Sequence, residues 1–165
     1  MALDPVLQPV ADRVARDGWT KVMVGKPTSD PEARLIFTTT VGLQEMGIPE
    51  LVVFGLSRAL IDGFIEGTLE VLAQAGGWKG EPLELDGVVE DQPIALRQVH
   101  GDHINFVGST NILVRQETGR APLAGMVQVF WAGEDGRLPW DPQSTDKFPD
   151  QPRLDLPAPR PANGQ

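Results

Sequence analysis

The sequence has no cysteine, which removes disulfides, thiolate nucleophiles, iron–sulfur clusters and sulfur-based zinc sites at once. Only two histidines, His100 and His103, are available for imidazole chemistry. Basic residues are scarce: 14 lysines and arginines against 23 aspartates and glutamates leave a formal charge of -9, and such a surface repels a phosphate backbone or an anionic leaflet. Neither nucleic acid nor membrane is therefore an expected partner. No apolar run approaches the roughly 20 residues of a spanning helix. Met1 to Pro9 lacks the basic start and apolar centre of a secretory signal, so the expectation is a cytoplasmic protein.

What is present suits one globular domain. The 165 residues are 41% hydrophobic and 22% charged, enough apolar material for a single core. Asp4-Pro5 reads as the cap and first turn of an amphipathic helix over residues 4 to about 17, with Val6, Val10 and Val14 on its apolar face and Gly18 as its stop. Thr20 to Val24 and Leu35 to Val41 are rich in β-branched residues and flank a turn-forming cluster, which predicts two adjacent antiparallel strands. Leu51-Val52-Val53-Phe54 is a continuous apolar run of strand length, as expected of a central strand buried on both faces.

Ser57 to Ala75 carries Leu60, Ile61, Phe64, Ile65, Leu69 and Leu72 at helical spacing and is stopped by Gly76-Gly77. Residues from Pro82 to Val99 read as extended, a third helix is expected from Asp102 through Val114, and Met126 to Trp131 reads as a last strand. The pattern predicts an α+β domain over residues 1–142, with a mainly antiparallel sheet of about five or six strands covered by helices. Seven of the 15 prolines fall between Pro139 and Pro161, so residues 143–165 are expected to form an extended or mobile tail, mobile beyond about Pro157.

Three segments together resemble a known family. They are Gly18-Trp19; Thr40-Val41-Gly42-Leu43 with Ile48-Pro49-Glu50-Leu51-Val52-Val53-Phe54-Gly55-Leu56; and Gln128-Val129-Phe130-Trp131 leading through Asp135-Gly136-Arg137-Leu138-Pro139-Trp140-Asp141-Pro142 to Gln151-Pro152. In order and spacing, over about residues 5–155, the chain resembles the bacterial family called domain of unknown function 4262. It departs from that family in having Thr39 where a tyrosine is common, and Ala132-Gly133 where Pro-Asp commonly follows the tryptophan. The resemblance implies a compact α+β domain in a bacterial or phage setting and brings no established activity.

Several residues invite a chemical reading. Gly55-Leu56-Ser57-Arg58-Ala59 sits between a strand and a helix, like a hydrolase nucleophile elbow, with Asp86 or Asp91 and then His100 or His103 following in hydrolase order. A routine helix cap explains Ser57 better. His100, Asp102 and His103 offer three metal-ligand types, though a helix cap at Asp102 and exposed loop histidines explain them more simply. Gly76 to Gly80 follows a helix instead of preceding one, so it reads as a turn and not a phosphate loop. Asp62, Glu66 and Glu70 read as a solvated helix face.

Trp131 and Trp140 bracket a turn containing Asp135, Arg137 and Asp141, which suits either a ligand contact or a clamp pinning the C-terminal segment to the sheet. Thr38 and Thr40 add hydroxyls, and a functional groove, where one exists, is expected between the Thr40–Leu43 segment and the Trp131–Asp141 turn, with the clamp the favoured reading of the tryptophans. The leading expectation is a non-catalytic binding or interaction module that needs no cofactor and takes a protein or small-molecule partner, with a homodimer left open. The alternative is a small hydrolase using Ser57 or a metal near His100, Asp102 and His103.

Overall fold

The computed structural model describes residues 4–144 and 151–159. Among them six strands form one mixed sheet: β1 Thr20–Val24, β2 Phe37–Val41, β3 Glu50–Phe54, β4 Leu83–Val89, β5 Gln92–Gln98 and β6 Met126–Trp131. Their spatial order is β1-β2-β3-β6-β5-β4. The central β3 and β6 run parallel and the other pairings are antiparallel. Helices α1 (Gln8–Asp17), α2 (Arg58–Gln74), α3 (Ile104–Val107) and α4 (Ser109–Thr118) complete a single α+β domain. Among the described residues no helix is long and apolar enough to cross a membrane.

The continuous apolar run of β3 is explained by its position, because every residue of the strand is buried and helices lie on both faces. On one face Ile61, Phe64, Ile65 and Leu72 of α2 pack on Leu51, Val53, Val127 and Val129. On the other, Leu7, Val10, Ala11 and Val14 pack with Val41 and Val114, while Val52 and Met126 meet Val107 and Leu154.

Four local expectations change. Asp4 to Leu7 form a turn closed by Asp4 oxygens, so α1 begins at Gln8, and Val6 is 79% exposed because the buried stripe runs through Leu7, Val10, Ala11 and Val14. Leu60 is 59% exposed, one position off the stripe of α2. The extended stretch after Pro82 is a hairpin, turning at Glu90-Asp91 with Asp91 at φ +57°. The third helix breaks at Gly108, where a Cβ would lie 2.7 Å from the Ile104 carbonyl oxygen.

The proline-rich end is the largest departure from composition. Gln128 donates to the Pro152 carbonyl at 2.7 Å and accepts from the Leu154 amide at 3.1 Å. The Gln151 side chain accepts from the Trp131 amide and donates to its carbonyl. Two side-chain amides thus take the place of strand pairing, which proline cannot sustain, and Leu154 is buried. Packing therefore continues past Pro142 into an extended strap, residues 151–159. Of the stretch expected to be mobile, residues 160–165 lie outside the described residues.

Candidate functional site

The register assigns each motif to one end of the sheet. Glu50 aligns with Met126 and Val52 with Gln128, while Thr39 pairs with Val52. Thr40 is therefore level with Leu51 and Val127, four strand residues below Trp131, or roughly 13 Å at ~3.3 Å per residue. The expected groove between Thr40–Leu43 and Trp131–Asp141 is not formed, because β3 and β6 carry these segments to opposite ends.

The Thr40–Leu43 end is filled. Glu50 is fully buried and accepts from the Thr40 hydroxyl, the Gly42 and Leu43 amides, and Arg115 at 2.7 Å. The Arg115 guanidinium spends all its N–H groups on Asn111, Glu45, the Ala121 carbonyl and Glu50. Burial depresses the Arg115 pKa, but the two carboxylates outweigh it and hold the value above the ordinary one. The Arg115 hydrogen bond holds the Glu45 carboxyl below its usual range despite partial burial. Gly42 has φ +112°, and a Cβ there would collide with the Gly18 carbonyl oxygen. The two recognisable segments Gly18-Trp19 and Thr40–Leu43 therefore touch, and the second of them seats the buried Glu50 carboxylate. Sequence reasoning missed Glu50, Arg115, Asn111 and Glu45; the legible signal was a carboxylate opening an otherwise apolar strand.

The Trp131–Asp141 turn is also largely self-satisfied. Asp135 accepts from the Arg137 amide at 3.0 Å, and Arg137 pairs with Asp141 at 3.2 Å. Trp140 meets Phe130 edge-on at 5.0 Å, with the guanidinium carbons of Arg97 and Arg153 at 4.0 and 4.7 Å from its ring centroid. Arg153 also grips Asp155 through two bonds. This is the clamp arrangement, with the indole held among side chains of sheet and strap. Thr38, Thr39 and Thr40 are all buried in β2, so none is exposed to a ligand at the surface.

Ser57 occupies the position before α2 but makes no capping bond; its hydroxyl, like that of Thr38, is buried with no hydrogen-bond partner among the described residues. The left-handed residues of this strand–helix turn are Gly55 and Leu56, at φ +74° and +61°, and not the serine. His100 lies beyond the Glu50 end of the sheet, since the Val99 amide bonds Met126, so at least the length of β3, roughly 13 Å, separates it from Ser57. The nucleophile arrangement is not assembled. Ser57→Ala is expected to change stability by less than about 0.5 kcal/mol, where removing a working cap would cost ~1 kcal/mol; urea unfolding checks this.

The histidines serve the strap. His103 Nε2 lies 2.8 Å from the Leu156 carbonyl oxygen, His100 Nδ1 accepts from the Asp102 amide, and Asp102 accepts from the Ala158 amide. Among the described residues no group of three or more histidines and carboxylates converges as metal ligands. Asp62 and Glu66 face Lys21 at 3.0 and 3.9 Å, and Gly76 and Gly77, both at positive φ, end the helix.

Several concavities remain among the described residues: one is lined by Glu84, Pro93, Leu138, Trp140 and Asp141, and a more apolar one lies at the carboxyl ends of the parallel pair β3 and β6. Helix α2 and the β4–β5 hairpin touch at Gly67, where a Cβ would meet Val88 Cγ1 at 3.3 Å. One turn earlier, at Gly63, a Cβ would meet nothing within 4 Å. The gap is a cleft of about 550 Å³ walled by Leu56, Phe64, Val88, Val89 and Trp131, with Leu60, Glu90 and Gln92 also lining it. Trp131 is fixed by its indole N–H, which donates to the Phe54 carbonyl at 2.7 Å. Of the residues expected to bind a ligand, Trp131 alone lines this cleft.

No curated protein and no solved structure matches the chain significantly. A family model does, over residues 13–145, and the chain belongs to the family described as domain of unknown function (DUF4262).

Proposed function

We propose that this domain is a non-catalytic binding module whose ligand occupies the cleft between α2 and the β4–β5 hairpin. One observation carries the reading: Gly63 lies inside a 17-residue helix with no neighbour that a side chain would strike. A helix-interior glycine costs about 1 kcal/mol relative to alanine, and here no packing demand explains it. Leu56, a wall of the same cleft, holds φ +61°, a conformation costing a non-glycine residue roughly 1–2 kcal/mol. Two local costs at one concavity are the pattern of a site shaped for something other than stability. The negative charge and the satisfied state of the ion pair and the clamp support a small apolar ligand over nucleic acid or a membrane.

Gly63→Leu tests this. It fills the cleft floor while improving helix propensity, so the melting temperature should hold or rise. Saturation-transfer NMR with a fragment library should show apolar and aromatic fragments bound by the wild type and lost in the variant. The same fragments binding both proteins equally would refute the cleft.

A further inference from the structure

We infer that the cleft selects an aromatic ligand bearing an amine, an inference that rests on the cleft being the binding site. The apolar part follows from the walls: Trp131 and Phe64 offer aromatic surface, Leu56 and Val88 close the sides, and the volume of about 550 Å³ is that of a ring system with a short chain. The indole N–H of Trp131 is already committed to Phe54, so Trp131 contributes surface and no free donor.

The amine follows from charge. Among the described residues Glu90 is the one ionisable residue lining the cleft, and it stands on a hairpin end that also carries Asp86 and Asp91. A nearby cation is Arg34, whose guanidinium lies 5.9 Å from the Trp131 ring centroid and which is already engaged. A ligand whose ring stacks in the cleft and whose ammonium reaches the hairpin end meets the Glu90 carboxylate, in the added negative field of Asp86 and Asp91 on the same hairpin. An anionic ligand of the same shape meets repulsion there. Because Glu90 is exposed, the attraction is modest and sensitive to salt.

Three probes of similar ring and different charge separate the parts: tryptamine, indole and indole-3-acetate, titrated at low ionic strength by calorimetry. Tryptamine should bind tightest and indole-3-acetate weakest, by roughly fivefold or more between them, the scale of a screened surface charge pair counted once as attraction and once as repulsion. Glu90→Gln should shrink that ratio while indole binding is kept, and raised salt should do the same. Gly63→Leu should abolish binding of all three. Indole or indole-3-acetate binding as tightly as tryptamine would overturn the amine selectivity and leave the cleft standing. Binding of none of the three would overturn the ligand class, while the cleft itself is judged separately by the fragment comparison.

Discussion

Arg115→Ala is expected to destabilise the domain by about 3–5 kcal/mol, the usual consequence of removing one partner from a buried ion pair. Arg115 and Glu50 are 1% and 0% exposed at their side chains, and deletion leaves the Glu50 carboxylate with its hydroxyl and amide donors but no counter-charge. The Asn111 side chain and the Ala121 carbonyl lose a donor in the same step. Against a typical total of ~5–15 kcal/mol, this lowers the melting temperature by on the order of 10 °C. Glu45→Ala should cost much less, because its side chain is 35% exposed, so water can take the place of the lost carboxylate, and Arg115 keeps Glu50. Urea unfolding followed by circular dichroism reads both. A loss below about 1 kcal/mol for Arg115→Ala would contradict the structural role given to this end of the sheet.

Trp140→Ala is expected to cost about 3 kcal/mol, near the lower range for deleting a packed aromatic, and to free the strap. The indole contacts Phe130, Arg97 and Arg153 together, so truncation removes the surface on which both guanidiniums lie. Faster trypsin cleavage at Arg153 reports the release. Arg137→Ala should move stability by less than about 1 kcal/mol, since its pair with Asp141 is a partly exposed one. Equal losses for the two variants would refute the clamp.

The strap also has an acid limit. Burial pushes the Asp155 carboxyl up, but Arg153, bonded to it, and the field of Arg97 outweigh this and leave it below the ordinary value. A carboxyl depressed in the fold contributes stability that is present above its unfolded pKa, ~3.9 for aspartate, and lost as pH falls through the lower folded value. Tryptic accessibility is unusable there, so pepsin cleavage at Leu154 is the readout: protected near pH 4 and cut progressively below it.

Much of the fold was legible because its signals are local. Leu51–Phe54 announces a doubly covered strand by composition alone, and α2 by its spacing and its glycine stop. What sequence could not supply was the parallel pairing of β3 with β6, across about 75 residues of chain, and that pairing decides which motifs share an end. Without it, Thr40–Leu43 and the Trp131–Asp141 turn read as neighbours. The strap was hidden for a related reason: Gln128 and Gln151 hold it through side chains, while composition registers only its prolines. The cleft is a gap left where Gly63 removes a side chain and the hairpin diverges from α2, and a gap has no sequence motif. Its one local trace is a glycine inside a helix with no packing reason to be there.

The most direct test of the binding account is an amide-detected NMR titration of the full chain with indole. The account predicts saturable shifts at Leu56, Gly63, Val88 and the Trp131 indole N–H, with Gly42, Leu43 and Arg115 unmoved and no response in Gly63→Leu. Saturable shifts centred on Gly42, Leu43 and Arg115, or an unaltered response in Gly63→Leu, would contradict it.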